Sequence, residues 1–373
     1  MNVLHVHSGN MFGGVERMLH TLAPATSGVS PVSSSFALCF KGAVSESLQS
    51  AGAAVHDLGP VKVRRPDEIV RARRALRDVL NSDRWSAAIV HSAWGQGIFG
   101  STILKSGVPM VRWLHAPQPG PRWLEYWSAR SRPALVICNS NYTRNAVRWP
   151  LAGARLSVLY PPSVPPPSQL GARESMRASL GTPAGTVVVA LAARLEAGKG
   201  HRLFVEALAT IPAVRWEAWI IGGVQQQHER EYLAGLQRQI AAADLSGRVR
   251  LLGQRENVPA LLEAADVYCQ PNQAPDSFGL SFVEALSAGL PVITTAMGAA
   301  AEIVDPSCGL LVEPASAVAL SNALRTLIEG DGVRQTLSAG AAARARQFCN
   351  LPASLRQFAE QIATVSNASV AST

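Results

Sequence analysis

Two acids eight residues apart, Asp276 and Glu284, bracket the stretch Pro275-Asp276-Ser277-Phe278-Gly279-Leu280-Ser281-Phe282-Val283-Glu284. The pattern predicts a helix opening at Ser277-Phe278-Gly279, with Asp276 in the loop before it and Glu284 inside it. A small-residue turn and an apolar strand beginning at Leu290 follow. A helix start presents unbonded N–H groups and partial positive charge, which suits a phosphate. Carboxylates beside that seat would repel a phosphate. They suit vicinal hydroxyls instead, such as the ribose and hexose diols of a sugar nucleotide.

A second group lies upstream in Ala193-Arg194-Leu195-Glu196-Ala197-Gly198-Lys199-Gly200-His201. Arg194 and Lys199, with glycines beside the lysine, can clamp a diphosphate from two directions, the arginine as a planar fork and the lysine as a point charge. Near the N-terminus, Ser8-Gly9-Asn10-Met11-Phe12-Gly13-Gly14 follows a strand pattern and opens a helix. Its paired glycines permit close backbone approach to a ligand and equally fit a plain tight turn. The order G-x-G-x-x-G is absent there, which removes the dinucleotide fingerprint. Trp219-Ile220-Ile221-Gly222-Gly223 and Val249-Arg250-Leu251-Leu252-Gly253 end apolar strand patterns in glycines that turn geometry also requires. Asp266, in Ala265-Asp266-Val267, reads as a local cap. His91, His115 and the pair Asn139-Ser140 stand at strand ends, and Asn139 and Ser140 both read as caps of the helix that follows.

The elements that must position these residues alternate along the chain. Strands are expected at 2–7, 34–40, 53–58, 87–91, 109–114 and 134–139, then at 186–193, 216–222, 249–253, 265–270, 290–295 and 308–312. Helical patterns separate most of them, as in parallel sheets built from βαβ units. Tyr160-Pro161-Pro162-Ser163-Val164-Pro165-Pro166-Pro167-Ser168 can continue neither a helix nor a central strand, so it is read as a stiff linker. The expected layout is a first domain over 1–165, a second over 170–350, and a C-terminal helix and tail over 351–373, frayed from Ser366 onward. Loops after the strands of both sheets would then face a cleft, where open α/β sheets bind ligands.

Composition narrows the class. At 373 residues, 47% hydrophobic and 16% charged, the chain is that of a globular enzyme of two domains. No apolar run reaches membrane-spanning length and no basic leader precedes the first strand, which points to the cytoplasm. Cys39, Cys138, Cys269, Cys308 and Cys349 are odd in number and widely spaced, which fits free thiols. The net charge of +8 is uneven, +10 in residues 1–169 and −2 in the remainder. Arg71, Arg73, Arg74 and Arg77 crowd one helix; they form either a solvated face or a dock for an anionic membrane surface. Nucleic acid is not expected, since few aromatics are interleaved with the basic residues and no recognised module is present.

Taken in order, Gly13-Gly14, Arg194 with Lys199-Gly200, Gly222-Gly223, Leu252-Gly253, Ala265-Asp266-Val267 and the Asp276–Glu284 stretch resemble the retaining glycosyltransferases of family 4 (group 1) over nearly the whole chain. Glu284 matches the second acid of that family's E-x7-E signature; the first position holds Asp276, one methylene shorter than the usual Glu. The resemblance implies a GT-B architecture, α/β with two Rossmann-like domains facing across a cleft, and a C-terminal helix packing back on the first domain. It implies transfer of a sugar from a UDP- or GDP-sugar to a glycan or lipid-linked acceptor. Arg194 and Lys199 would meet the diphosphate, Glu284 the ribose and Asp276 the transferred sugar. Backbone groups at Phe278, Gly279 and Leu280, with Gly13, Gly14 and Gly222, would line the donor site. His115, in Trp113-Leu114-His115, resembles the family's active-site histidine, and His91 is a lesser candidate for acceptor contact. No cofactor is expected, and with no D-x-D sequence in the chain no metal either. The rival readings are a nucleotide-sugar-binding scaffold without turnover and a GT-B-type epimerase or phosphorylase.

Overall fold

The structure is a computed structural model that describes residues 1–9, 13–23, 31–118, 122–164, 171–212, 215–224 and 226–370. Asn10, Met11 and Phe12 of the first glycine loop and Pro165 to Ser168 of the linker lie outside the described residues. The chain forms two compact units, Met1–Val164 together with Asn350–Thr373, and Pro165–Cys349.

The first unit holds a sheet of β1 (Asn2–His7), β2 (Ser33–Leu38), β3 (Ala54–Asp57), β4 (Ala87–Val90), β5 (Met110–Leu114), β6 (Leu135–Cys138) and β7 (Leu156–Val158). Their order is β3-β2-β1-β4-β5-β6-β7, with every pair parallel. β1, β4, β5 and β6 are buried almost throughout because helices cover both faces, which is why these segments read as continuous apolar runs. The short, half-buried edge strand β7 was not expected from the sequence.

The Leu351–Val370 helix lies on this unit although it follows the second unit in the chain. Leu355, Phe358, Ala359, Ile362 and Val365 recur at helical spacing and join Phe36, Trp113 and Ile137 in one core. Full burial of a side chain such as Phe358 contributes about 1.5–3 kcal/mol. Residues 366–370 are helical, which corrects the expectation of a frayed tail from Ser366.

The second unit repeats the plan with β8 (Val187–Ala192), β9 (Trp216–Ile221), β10 (Val249–Gly253), β11 (Val267–Gln270), β12 (Val292–Thr295) and β13 (Gly309–Val312). The order is β10-β9-β8-β11-β12-β13, all parallel. The chain reverses its direction of growth between β8 and β11, and crevices outside the carboxyl ends of strands at such a point take ligands. Asp266 is a clamp rather than a local cap. Its carboxylate receives Arg173 and Arg177 at 2.5 Å each, and the Val188 amide at 2.7 Å, fastening the Ala172–Ser179 helix to β8 and β11.

Candidate active site

In the second unit, β8 ends in a loop that closes as a 3-10 turn over Ala197–Lys199 and leads into the His201–Ala209 helix. Gly200 between them has φ of 79°, and a Cβ there would stand 1.8 Å from the carbonyl oxygen of Pro271. The Gln273 amide donates to the Gly198 carbonyl at 2.8 Å. Only a glycine lets the β8 loop sit this closely on the loop after β11.

That contact brings Lys199 Nζ to 2.5 Å from Asp276 Oδ1. Asp276 Oδ2 accepts from Asn272 Nδ2 at 2.8 Å and Gln270 Nε2 at 3.2 Å. Gln270 Oε1 in turn accepts from the Tyr268 hydroxyl at 2.7 Å and from Ser281 Oγ at 3.0 Å. Burial raises the Tyr268 pKa, and the nearby charges of Glu284 and Asp276 push it further in the same direction. Both predicted acids therefore lie within electrostatic reach of one buried tyrosine. The Asp276 backbone is also pinned: its carbonyl accepts from the Ala299 amide at 2.9 Å, and Gly298 leaves that oxygen no room for a Cβ.

The helix bearing Glu284 runs Leu280–Ser287 with Gly279, at φ of 104°, as its cap. It starts later than the expected Ser277-Phe278-Gly279 because the left-handed backbone at Gly279 is not helical; Phe278 is buried and packs edge-on against Phe348. Phe278 is thus a packing residue by side chain. Arg194, half-exposed, is held by Glu196 at 2.6 Å. Gly222 donates its amide to the Gly253 carbonyl at 2.9 Å and lies so close to the Ala193 carbonyl that a Cβ would stand 2.0 Å from it. Close backbone contact at Gly222 thus joins the ends of β8, β9 and β10.

At the same edge of the first unit's sheet, Gly13 caps the Gly14–Leu22 helix and gives its amide to Glu16 Oε2 at 2.8 Å. Glu16 Oε1 lies 2.8 Å from His7 Nε2. Burial alone would raise the Glu16 pKa; the hydrogen bonds from His7 and from the backbone outweigh it and bring the pKa below the usual carboxylate value. Neither His7 nor Glu16 carries a sequence signal, since the pairing joins a strand end to the next helix.

His115 heads a row of imidazoles. His115 Nε2 is 2.8 Å from His91 Nδ1, and His91 Nε2 is 3.0 Å from His5 Nδ1. The rings of His91 and His115 stack with centroids 5.1 Å apart, beside Trp113. Burial, then His7, Arg112 and His5, lower the His115 pKa to about 3, and burial lowers His5 to about 3 as well. His115 is therefore a neutral hydrogen-bonding group near pH 7. His91, the lesser candidate, is buried between its two partners. Asn139 does not cap a helix but donates to the His115 carbonyl at 3.0 Å, while Ser140 does cap the Asn141–Asn145 helix.

Among the described residues no three of His, Cys, Asp or Glu gather as a metal site, and no helix is long and apolar enough to cross a membrane. None of the five cysteines is in a disulfide.

Residues 12–162 match the model of Glycosyltransferase Family 4, and residues 172–344 match that of Glycosyl transferases group 1. A D-inositol 3-phosphate glycosyltransferase of Xylanimonas cellulosilytica is 30% identical over 282 residues, 72% of this chain and 64% of that protein. A phosphatidyl-myo-inositol mannosyltransferase of Mycobacterium leprae is 36% identical over 110 residues, 29% of each chain. The matches thus span from under a third to just under two thirds of these relatives' lengths. Among solved structures, Anabaena HepE in complex with UDP and glucose superposes with a TM-score of 0.83 at 24% identity, covering 98% of this chain and 100% of that one. WaaG, a glycosyltransferase involved in lipopolysaccharide biosynthesis, superposes with a TM-score of 0.71 at 17% identity, covering 97% and 99%. Both neighbours share the two-domain GT-B fold.

Proposed function

The chain belongs to the family 4, group 1 glycosyltransferases, and from that premise we propose that it transfers a sugar from a nucleoside diphosphate sugar to a hydroxyl acceptor, retaining the anomeric configuration and using no metal. The observation that carries the reading is the Lys199–Asp276 pair at the β8/β11 switch point, tied through Gln270 to Tyr268, with Glu284 nearby. A cation and an acid are paired there beside a helix start, and a second acid lies within electrostatic reach of Tyr268. In a donor complex Lys199 and Arg194 exchange Asp276 and Glu196 for the diphosphate, and Asp276 turns to hydroxyls of the transferred sugar. Glu284 takes the ribose. The helix start at Gly279-Leu280 receives phosphate oxygens, and Gly13, Gly14 and Gly222 admit close approach.

Negative charge develops on the leaving diphosphate as the sugar–oxygen bond breaks. Lys199, Arg194 and the helix start offset that charge, and losing one such group costs about 10²–10³ in rate. His115, neutral, accepts or donates a hydrogen bond at the transferred sugar. Retention follows from attack on the same face as the leaving group, with a donor phosphate oxygen taking the acceptor proton. A cytoplasmic setting, peripheral to an anionic membrane, agrees with the basic first unit.

UDP-sugars are the first donors to try, given the ligands named for HepE, followed by GDP-sugars. Inositol phosphate and phosphatidylinositol are the first acceptors, given the names of the relatives. Mass spectrometry should find a glycosylated acceptor made by the wild-type protein in chelator, and lost in Arg194→Ala and Lys199→Ala. Nucleotide-sugar binding without any turnover would replace this reading with that of a scaffold. A released epimerised sugar or sugar phosphate would replace it with an epimerase or phosphorylase.

A further inference from the structure

The four arginines of the Pro66–Ser82 helix do not form one solvated stripe. Arg71 Nη2 turns back to the Pro60 carbonyl at 2.7 Å, and Arg74 is exposed. Arg73 instead turns toward the Ala93–Lys105 helix, where its Nε donates to the Ile98 carbonyl at 2.6 Å. That bond occupies one face of the guanidinium and leaves the Nη groups without a protein acceptor among the described residues. Arg77 lies about one turn further along, and Lys105 comes from the end of the facing helix.

These three cations line a groove of about 230 Å³ between the two helices, together with Asn81, Ser101 and Ser106. No carboxylate lines it, and no described acid forms an ion pair with Arg73, Arg77 or Lys105. Like charges converging without a counter-ion repel one another, and a bound anion relieves that repulsion. A guanidinium fork, a second guanidinium, an ammonium and hydroxyl and amide donors are the groups that recognise a phosphoryl oxygen array. The volume holds such a group with several waters, each occupying about 30 Å³ in the liquid. Two large apolar residues are exposed on the same two helices, Val70 at 47% and Leu104 at 43%.

We infer that this groove is a phosphate-monoester site, separate from the donor-binding residues of the second unit. The phosphate can arrive on a small soluble molecule or on a lipid headgroup, and the chemistry of recognition is the same for both.

Titration of full-length protein with inorganic phosphate, followed by backbone amide resonances, should show saturable shifts confined to the facing halves of the two helices. Arg77→Gln and Lys105→Gln should each weaken that binding on the order of tenfold, a loss typical of one charge-assisted contact, while Arg74→Gln leaves it unchanged. Both substituted side chains are exposed, so folding should survive, and circular dichroism checks that it does. No saturable shift, or shifts undiminished in the Arg77 and Lys105 variants, would overturn the site. Vesicles of phosphatidylcholine with phosphatidic acid then separate the two sources. Co-sedimentation lost in Arg77→Gln and Lys105→Gln supports a lipid headgroup; intact phosphate binding without co-sedimentation supports a soluble phosphate. None of these readouts depends on sugar transfer, so the groove and the donor assignment stand or fall separately.

Discussion

Lys199 and Asp276 are bound to each other at 2.5 Å, 77 residues apart in sequence, each about one-fifth exposed. The lysine proposed to meet a diphosphate and the acid proposed to meet a sugar hydroxyl are each other's partners. Under that proposal donor binding separates them, and the pair holds both side chains in place until then.

Breaking the pair from either side should therefore have different effects. Lys199→Ala should weaken nucleoside diphosphate binding and lower transfer about 10²–10³-fold. Asp276→Asn frees Lys199 from a competing carboxylate, so UDP should bind more tightly while transfer falls. Calorimetric titration with UDP and turnover rates measured on the same preparations check this. Equal loss of UDP affinity in both variants would show that the pairing does not restrain the lysine.

Gly200→Ala should collapse the donor site. A left-handed residue with a Cβ is strained by about 1–3 kcal/mol, and here the Cβ also meets the Pro271 carbonyl oxygen. The β8 loop must lift, carrying Lys199 away from Asp276. Gly181→Ala is the control: its φ is 62°, but its Cβ meets nothing within 4 Å. It should lose only the strain energy and keep UDP binding, as thermal unfolding and titration will show.

How much of this could be read from residues alone follows from the range of the forces involved. Parallel strands buried on both faces leave apolar runs, so β1, β8 and their neighbours were legible, and so were the loops at their carboxyl ends. Three-residue β7 buries too little to mark the sequence. Polar Ser366 and Asn367 read as a frayed end, yet the helix that begins at Leu351 carries through to Val370. The acids, cations and glycines of the site were visible because their spacing is local. Their partners were not: Glu16 meets His7 across a turn, Asp266 meets Arg173 from 93 residues away, and the His5–His91–His115 row assembles from three strands. Such pairings are created by sheet order, which no local pattern encodes.

Acid should destabilise the protein in a window set by its histidines. His5 and His115 are lowered to about 3 and His201 to about 4, chiefly by burial, against an ordinary value of 6.5. Between those limits the unfolded chain binds protons that the folded one refuses, so stability is full above pH 6.5 and falls as pH drops toward 3–4. Each such group contributes a slope on the order of 1 kcal/mol per pH unit. Urea unfolding midpoints measured across that range should decline, and His201→Leu, which removes one titrating group remote from the imidazole row, should flatten the decline. A pH-independent midpoint would mean these rings are charged in the fold.

Arg112 should be a residue whose replacement stabilises. It lies on β5 at 7% exposure, and its Nε and Nη1 are buried without a hydrogen-bond partner. Burial lowers its pKa to about 10, against a weak opposing pull from Glu125. Each unsatisfied buried donor costs about 1–3 kcal/mol, and apolar replacements of buried charges are often stabilising. Arg112→Met keeps most of the side-chain volume and should raise the unfolding midpoint. The guanidinium also helps hold His91 and His115 neutral, since its charge disfavours a second one beside it. In Arg112→Met the imidazole row should accordingly titrate at higher pH than in the wild type, followed by ¹⁵N shifts of the histidine rings, and the loss of transfer on acidification should begin at a higher pH. A lower unfolding midpoint with unchanged histidine titration would show that Arg112 is satisfied and serves packing alone.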